Sequence, residues 1–503
     1  MLVARLPVVD VAVVAVYFAA TIVLGAWFAR RQRDTQRYFV GGRSVGVWLV
    51  LISVVATETS TVTFLSVPGL GFNPQGGNLT FLQLALGYIV GRCFVAWLLL
   101  PQYFHGQLLT AYQLLRQRFD ARVQRTASGI FVVTRTIADG MRLFLTALLL
   151  NQFTGWDIAV AIVVMGAATI LYTYLGGMEA VIWTDVIQFS VYMLGASIAA
   201  VFIALEIQNG WSGFVTTASQ AGKFTLFDFS TDPTKVYTFW SGLVGGAFFT
   251  MASHGADQLM VQRFLCARSL GVARAALIGS GFVVFLQFLL FLLIGVGLYV
   301  IWQQGTLALP EGIKGDAVFG YFIVHRLPPG VVGLLIAAVL SAAMSTLSSS
   351  LNSSAGAVVN DFYRPAYPNR DEWHYLRVSR GFTVVFGCAQ VGVALFAAVA
   401  LQRSVIEMVL SVAGLTTGLI LGLFTLGRLP QPVSSAAALV GLVCGLVVVV
   451  AVWLPSTGLF AHWEGLPMVL RQPIVAWPWL ALVGTVTTVA AAGLANQRRS
   501  NGG

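Results

Sequence analysis

Long apolar stretches alternate with short polar connections along almost the whole chain. Each stretch can form a helix that crosses about 30 Å of hydrocarbon, since a helix rises about 1.5 Å per residue. Lipid offers no hydrogen-bond partner to exposed backbone, so we expect every crossing to be helical. About thirteen segments are predicted, at 8–29, 47–67, 79–104, 126–150, 157–175, 183–206, 238–261, 275–302, 332–359, 379–401, 405–426, 434–453 and 475–495.

The composition agrees with this pattern. Of the 503 residues, 57% are hydrophobic and only 10% are charged, whereas soluble domains carry about 25% charged residues. So few charges cannot cover the surface of a soluble protein of this size, which excludes that class. The chain is therefore predicted to be an all-α polytopic membrane protein.

The basic residues predict the orientation. With an odd number of crossings the connections fall into two alternating sets, and the set that contains 30–46 holds nineteen basic residues against seven in the other. Because cytoplasmic loops are enriched in Lys and Arg, we expect the N-terminus outside and the C-terminus in the cytoplasm. The net charge of +10 is thus a topology signal, and the expected partners are the lipid bilayer and small molecules, not nucleic acid. The oligomeric state is not predicted.

Ionisable residues inside the apolar segments are few. Each costs roughly 2.5–3.5 kcal/mol to insert, so each is a candidate for function. Two of them, Arg92 and His254, have no partner that the sequence reveals. The others are Glu58, Arg135, Asp139, Arg142, Asp185 and Asp257.

The charges of the fourth segment share one helix face, because Arg135, Asp139 and Arg142 are spaced by four and three residues. One interpretation is a self-neutralised structural network, to which Glu58 would add the missing negative charge. The other is a solute pocket in which an arginine binds a carboxylate through two hydrogen bonds. The sequence leaves both open.

Hydroxyl groups are concentrated in the second segment, at 57–63. Clustered Ser and Thr compete for backbone hydrogen bonds, so the stretch favours a broken helix whose carbonyls and hydroxyls line a cavity. A kinked helix that packs through its hydroxyls is the alternative.

A second concentration of hydroxyls lies in the ninth segment, where one helix face carries Ser341, Ser345, Ser348 and Asn352. Neutral oxygens can replace the water shell of a sodium ion, although a face of small residues is also typical of a helix interface. Asp185 favours the sodium site, because one carboxylate on a neighbouring helix would neutralise one monovalent cation.

Several motifs in order along the chain resemble the sodium/solute symporters, a family of sodium-coupled sugar, proline, sialic acid, monocarboxylate and iodide carriers. The most specific motif is GGMEAVIWTDVIQ at 176–188. Further matches are YFVGGR at 38–43, DQLMVQR at 257–263 and the region of Ser345 and Thr346.

The resemblance implies a fold similar to that of the leucine transporter, with two inverted five-helix repeats and a site where broken helices meet at mid-membrane. It divides the chain into an extra N-terminal helix and cytoplasmic loop (1–46), repeat one (47–206), an outer loop (207–237), repeat two (238–426), and two C-terminal helices with a short cytoplasmic tail (427–503).

The resemblance also implies site residues. Sodium is the expected coupling ion, and no organic cofactor and no other metal are expected. The arginines favour a small carboxylate-bearing solute. The principal sodium site would consist of Ala56, Thr59, Ala342, Ser345 and Thr346. A second sodium, held by some members, would bind Asp185, Ser345, Ser348 and Ser349. The candidates for solute binding are Glu58, Ser60, Thr63, Gln83, Arg135, Arg142 and Trp240.

The leading hypothesis is sodium-coupled secondary active symport of a small polar organic solute by alternating access, in the cytoplasmic membrane of a bacterium. A proton-coupled or uncoupled carrier on the same fold is the alternative, since Glu58 or Asp185 could carry a proton. A membrane solute sensor is an alternative of another class, but only about eight residues follow the last segment, so we expect no signalling domain. An enzyme is not expected, because the segments contain no metalloprotease motif, nucleophile elbow or paired acid and base.

Overall fold

The computed structural model describes residues 7–29, 34–106, 108–313, 315–400, 403–457, 467 and 472–502. Every named element in these ranges is a helix, and their only β feature is an isolated bridge between Val45 and Ala267. The all-helical prediction is confirmed for these residues. In chain order the helices are α1 Val8–Ala29, α2 Thr35–Val40, α3 Val47–Glu58, α4 Thr61–Phe72, α5 Leu82–Phe94, α6 Leu100–Phe104, α7 Gln113–Arg118, α8 Ala121–Thr154, α9 Ile158–Glu206, α10 Gly210–Gln220, α11 Gly246–Gly255, α12 Gln258–Leu265, α13 Leu270–Gln303, α14 Gly315–Arg326, α15 Val331–Val358, α16 Arg364–Ala366, α17 Glu372–Ala400, α18 Arg403–Leu426, α19 Ser435–Trp453 and α20 Leu480–Gly502.

Many of these helices can cross a membrane. Within the described residues, eight continuous helical stretches are long and apolar enough to do so, and the bent pair of α3 and α4 makes a ninth. The long helix α8 is not among them, and it carries four arginines and one aspartate. The chain is thus an integral membrane protein, while the thirteen crossings and the sides of the termini stay predictions.

The longest helix, α9, is broken. It has 49 residues, which at about 1.5 Å per residue is more than twice the thickness of the hydrocarbon layer. Gly177 interrupts it with φ +60° and ψ −159°, a backbone conformation that other residues rarely adopt. A Cβ atom at Gly177 would lie only 2.7 Å from the ring of Tyr38 in α2. The break therefore needs glycine both for its backbone angles and for the close approach of α2.

The centre of the structure is α15. This helix packs against α1, α3, α4, α8, α9, α12 and α17, and nearly all of its side chains are buried. Lipid does not drive helices together as water does, so close packing of small residues must hold them. The many Ala, Ser and Gly residues of α15 allow this approach.

The first helix caps the central one. Asp10 of α1 is fully buried, and its Oδ1 accepts hydrogen bonds from the backbone N–H groups of Gly330 (2.6 Å) and Gly333 (2.7 Å), at the start of α15. A carboxylate at a helix N-terminus is favoured by the free N–H groups and by the helix dipole. Asp10 is not among the charged residues predicted to be functional, and the structure gives it this structural role.

We predict that Gly177→Ala destabilises the detergent-solubilised protein by about 2 kcal/mol or more, because a Cβ is strained at positive φ and would collide with Tyr38. Thermal unfolding measures this effect. The matched control is Gly392→Ala in α17, where a Cβ meets nothing within 4 Å and the melting temperature should stay the same or rise slightly. Equal melting temperatures for the two variants would contradict the assigned break.

Candidate functional site

A single membrane crossing is broken near its middle. Helix α3 ends at Glu58, the backbone is extended at 59–60, and α4 continues with its axis turned by 68°. Ser60 caps α4, because its hydroxyl accepts the N–H of Thr63 at 3.4 Å and its own N–H donates to the Thr63 hydroxyl at 3.4 Å. In a continuous helix that Ser60 N–H would donate to the carbonyl of Ala56, which here loses its usual donor. The predicted broken helix is confirmed.

Helix α15 meets this break through Thr346. The Thr346 hydroxyl donates to the carbonyl oxygen of Thr57 at 3.0 Å, an oxygen that a continuous helix would use within its own backbone. The Thr59 hydroxyl donates to the Val55 carbonyl at 2.9 Å. The structure thus brings together the two helices that carry the residues predicted for the principal sodium site, namely Ala56, Thr59, Ala342, Ser345 and Thr346.

Asp185, in the second half of α9, is fully buried among hydroxyl groups. Its Oδ1 accepts the Ser345 hydroxyl at 2.6 Å, and its Oδ2 accepts those of Ser53 at 2.5 Å and Thr57 at 3.4 Å. The Ser349 hydroxyl lies 3.3 Å from that of Thr57. One carboxylate therefore joins α3, α9 and α15.

The charge of Asp185 has a partner within the protein. Arg263 of α12 is fully buried, with its Nη2 3.2 Å from Asp185 Oδ2 and its Nε 3.0 Å from the Ser53 hydroxyl. The same Nη2 donates to Ser349. The predicted apolar segment 238–261 ends before Arg263, so the sequence predicts a loop arginine here, whereas the structure buries it. Asp185 is already neutralised, so its burial alone does not require a bound cation.

The residues predicted for a second sodium are therefore only partly together. Ser345 contacts the Asp185 carboxylate directly, whereas Ser349 is linked to it through Arg263. The Ser348 hydroxyl instead donates to the Ser345 carbonyl at 3.1 Å.

A cavity of about 930 Å³ lies beside the break. Its lining combines hydroxyls, charges and aromatic rings, and both Thr57 and Thr346 belong to it. The Thr346–Thr57 hydrogen bond between α15 and α3 thus lies at the wall of this cavity. Five of the predicted solute-binding residues line it: Glu58, Ser60, Thr63, Arg135 and Arg142.

The arginines of α8 are paired with carboxylates. Arg135 Nη2 lies 2.6 Å from Asp257 Oδ2, and its Nη1 lies 3.7 Å from Asp139 Oδ1. Arg142 Nη1 donates to the same Asp139 oxygen at 2.7 Å, while its side chain stays 32% exposed. Two arginines and two carboxylates form a neutral network, of which Arg135, Arg142 and Asp257 line the cavity. Its second carboxylate is Asp257, not Glu58 as the sequence suggested.

Glu58 belongs to a different cluster. Its Oε2 forms an ion pair with Arg92, which is fully buried, and lies 3.6 Å from His254 Nε2. Arg92 also donates to the Ser280 hydroxyl at 3.0 Å. Arg92 and His254, which had no partner in the sequence, are thus the partners of Glu58. The carboxylate is held at the cavity wall by these two bases.

Two predicted solute-binding residues lie elsewhere. The buried Gln83 side chain hydrogen-bonds only to backbone groups in the described residues. Its Nε2 donates to the carbonyls of Thr80 (3.1 Å) and Tyr237 (3.3 Å), and its Oε1 accepts the Asp228 N–H at 3.1 Å. Trp240 is 44% exposed and packs on Phe239. Neither belongs to the cavity lining among the described residues.

Some members of the Asp185 cluster are not among the predicted site residues. Ser53 and Thr57 are one helical turn apart on α3, a spacing that could have identified them as a polar face. Arg263 shows no such spacing, because it follows an apolar segment as a loop arginine would, and its sequence signal is its place at the end of the motif 257–263.

The sodium:solute symporter family matches residues 38–445. The chain belongs to this family. The resemblance seen in the motifs is confirmed, and the protein is a sodium-coupled symporter rather than an enzyme.

Individual relatives of the symporter cover most of its length. The sodium/sialic acid symporter SiaT of Proteus mirabilis is 30% identical over 447 residues, which span 88% of this chain and 89% of that protein. The sodium-coupled monocarboxylate transporter 1 of Mus musculus is 30% identical over 423 residues, 83% of this chain and 68% of that protein.

Solved structures agree with the fold. A substrate-bound, outward-open Na+-coupled sialic acid symporter superposes with a TM-score of 0.85 at 28% identity, over 98% of each chain. A nucleobase-cation-symport-1 family transporter superposes with a TM-score of 0.54 at 13% identity, over 90% of this chain and 92% of the other, and shows the fold alone.

We predict that Glu58→Gln lowers the free energy of unfolding of the symporter by about 3 kcal/mol, because it leaves the buried Arg92 without a counter-charge. Replacing both residues, Glu58→Gln with Arg92→Met, should recover part of the loss. Thermal or denaturant unfolding in detergent measures the coupling between the two positions. Glu206→Gln, which breaks the partly exposed pair with Arg326, is the control and should cost less than about 1 kcal/mol. Strictly additive losses at 58 and 92 would count against the pair.

Proposed function

We propose that this symporter imports a small carboxylate-bearing organic solute together with sodium, by alternating access across the cytoplasmic membrane of a bacterium. The observation that carries the proposal is the Thr346–Thr57 hydrogen bond. It joins the broken helix to α15 at the place where both residues also line the large cavity. An ion held at this junction and a solute held in the cavity would each change the affinity for the other, which is what coupling requires.

The principal sodium ion is proposed to bind between the end of α3 and the face of α15. The Ala56 carbonyl, which has lost its usual helical donor, and the Ala342 carbonyl would supply backbone oxygens, and Ser345 and Thr346 would supply hydroxyls. A hard monovalent cation prefers such neutral oxygen ligands. Occupancy requires the Thr346 hydroxyl to turn its oxygen lone pairs toward the ion. Thr59 is proposed as the fifth member of this site.

A second sodium is proposed at Asp185, with Ser345, Ser348 and Ser349. The ion and Arg263 would share one carboxylate, so binding would weaken the ion pair between α9 and α12. This competition would transmit ion binding to α12, whose N-terminal residue follows Asp257 and thus lies next to the cavity.

The solute carboxylate is proposed to bind the α8 arginines, with Ser60 and Thr63 donating hydrogen bonds. Arg142 has one carboxylate partner and is 32% exposed, whereas Arg135 has two partners and is 14% exposed. The names of the sialic acid and monocarboxylate relatives agree with an acidic solute, and the bacterial relatives agree with the proposed membrane.

We predict that an inward sodium gradient drives uptake of the solute into proteoliposomes. Candidate solutes come from a thermal-shift screen of carboxylates, amino acids and sugars, each with and without sodium. Ser345→Ala combined with Thr346→Ala should abolish the sodium dependence of uptake, because two proposed ligands are lost. Ser354→Ala, which removes a buried serine hydroxyl of the same helix, should leave it intact. An uptake rate that is independent of the sodium gradient, or that depends on a proton gradient at fixed sodium, would overturn the proposal.

We also predict that Arg142→Gln raises the KM for an acidic solute roughly ten- to hundredfold, because a hydrogen bond to a charged group contributes about 1.5–3 kcal/mol. Radiolabelled uptake at saturating sodium measures this change. Arg326→Gln, which removes an arginine paired with Glu206 away from the cavity, should leave the KM unchanged. An unchanged KM in Arg142→Gln would exclude this arginine from solute binding.

A further inference from the structure

The short helix α2 packs against α15 beyond the Asp185 cluster. The Phe39 ring approaches Gly356 of α15, where an added Cβ would lie 3.1 Å from it. Seven residues separate Gly356 from Ser349, a distance of about 10 Å along a helix. Tyr38 anchors α2 through its hydroxyl, which donates to the Thr173 carbonyl at 3.3 Å. Along α15, Thr346 at the large cavity lies between Ser345 and Ser349 of the Asp185 cluster, and the contact with α2 at Gly356 follows about two helical turns later.

Two buried amides lie between the cluster and α2. Gln262, the residue before Arg263, donates through Nε2 to the Phe39 carbonyl at 2.7 Å and to Asn352 Oδ1 at 2.7 Å. Both side chains are fully buried, yet Gln262 Oε1 and Asn352 Nδ2 have no hydrogen-bond partner among the described residues. Leaving a polar atom buried and unpaired costs free energy, so the unused Gln262 oxygen is available to accept a ligand.

A second cavity lies next to residues 41–42, which directly follow α2, and the face of the protein at α2 is called the α2 face. It measures about 580 Å³, and its lining includes Asp34, Gly41, Gly42 and Glu179. Within the described residues it shares no lining residue with the 930 Å³ cavity. The arginine distribution predicts that this face is cytoplasmic. Asn352 follows Ser349 by three residues on α15, and Gln262 bonds to both Asn352 and Phe39 of α2, so the two amides lie between the Asp185 cluster and the helix next to this cavity.

We propose that Gln262 and Asn352 form a relay site for sodium between the Asp185 cluster and this second cavity, and that the Gln262 amide group closes it in the present conformation. When α12 moves away from both α15 and α2, the two bonds of Nε2 break. Gln262 Oε1, Asn352 Oδ1 and the Phe39 carbonyl then become ligands for the departing ion. Neutral oxygens bind sodium weakly enough to release it, as conduction through successive sites requires. The inference rests on the sodium sites proposed above.

The test compares the apparent sodium affinity from the two faces of the membrane, using solute flux in oriented proteoliposomes. Gln262→Leu removes the ligand oxygen. The sodium concentration that gives half-maximal flux from the α2 face should therefore rise about tenfold, the change expected from losing one ligand bond to the ion. Half-saturation on the opposite face should be unchanged. Gln262→Glu keeps an oxygen and adds charge, so it should bind sodium more tightly from the α2 face. Gln390→Leu, which removes another buried glutamine bonded to α15 through Ser350 (2.9 Å), should change neither value.

A native thiol reports on closure independently of flux. Cys266 is fully buried, and a Cβ at Gly41 would lie 4.0 Å from its Sγ. In a background with the other three cysteines replaced by serine, a membrane-impermeant maleimide applied from the α2 face should label Cys266 several-fold faster in Gln262→Leu and in Gln262→Glu. Each variant lacks the amide group that holds Phe39. Gln390→Leu should label at the wild-type rate.

The following results would contradict the proposed relay site. An equal shift in sodium affinity from both faces would mean that Gln262 acts through the principal site. No shift from either face would mean that the amides only pack, or hold a buried water. Should Ser345→Ala with Thr346→Ala abolish sodium dependence while Gln262→Leu changes neither affinity nor labelling, the proposed function stands and the relay falls. Sodium-independent uptake by the wild type would contradict both the proposed function and the relay site.

Discussion

The structure depends on the need to satisfy one buried carboxylate. Asp185 has no access to water, so its charge must be compensated by donors that converge from different helices. Ser53 on α3, Ser345 on α15 and Arg263 on α12 meet this need. Removing any one of these donors would leave a charged oxygen underused in a place that solvent cannot reach. The relative positions of four helices are therefore tied to a single side chain.

The same cluster explains why the ion and solute regions are close together. α3 bonds to Asp185 through Ser53 and ends at the break that borders the large cavity, whereas α12 bonds to it through Arg263 and begins beside Asp257 on the cavity wall. A change in the carboxylate's partners thus acts on helices that also shape the solute region. Because helices are rigid, a local exchange of hydrogen-bond partners at Asp185 can shift residues at the other ends of the same helices.

The sequence predicted the features that follow from composition and local pattern. The apolar segments gave the helices, the hydroxyl run at 57–63 indicated the break, and the motifs identified the family. Pairings between distant residues were not predictable, because spacing along one helix says nothing about which helix lies opposite. Arg92 had no visible partner until the fold placed it against Glu58. Arg263 was misassigned because an arginine after an apolar segment is ordinarily a loop residue, and only packing reveals its burial.

The solute candidates illustrate the same limit. Arg135 and Arg142 were predictable, since they share a face of a helix rich in charge, and the structure places both at the cavity. Gln83 and Trp240 were inferred from the family's helix order, which does not specify the direction in which a side chain points. The Gln83 amide serves the backbone of a loop instead.

The break at 59–60 also has an electrostatic consequence. A helix carries partial negative charge at its C-terminus and partial positive charge at its N-terminus. Because α3 ends and α4 begins within three residues, the two opposite ends of these dipoles face the same region at a depth where the membrane screens them poorly. One interruption of the backbone therefore creates, side by side, a place that attracts a cation and a place that attracts a carboxylate. An uninterrupted helix with the same side chains would offer neither.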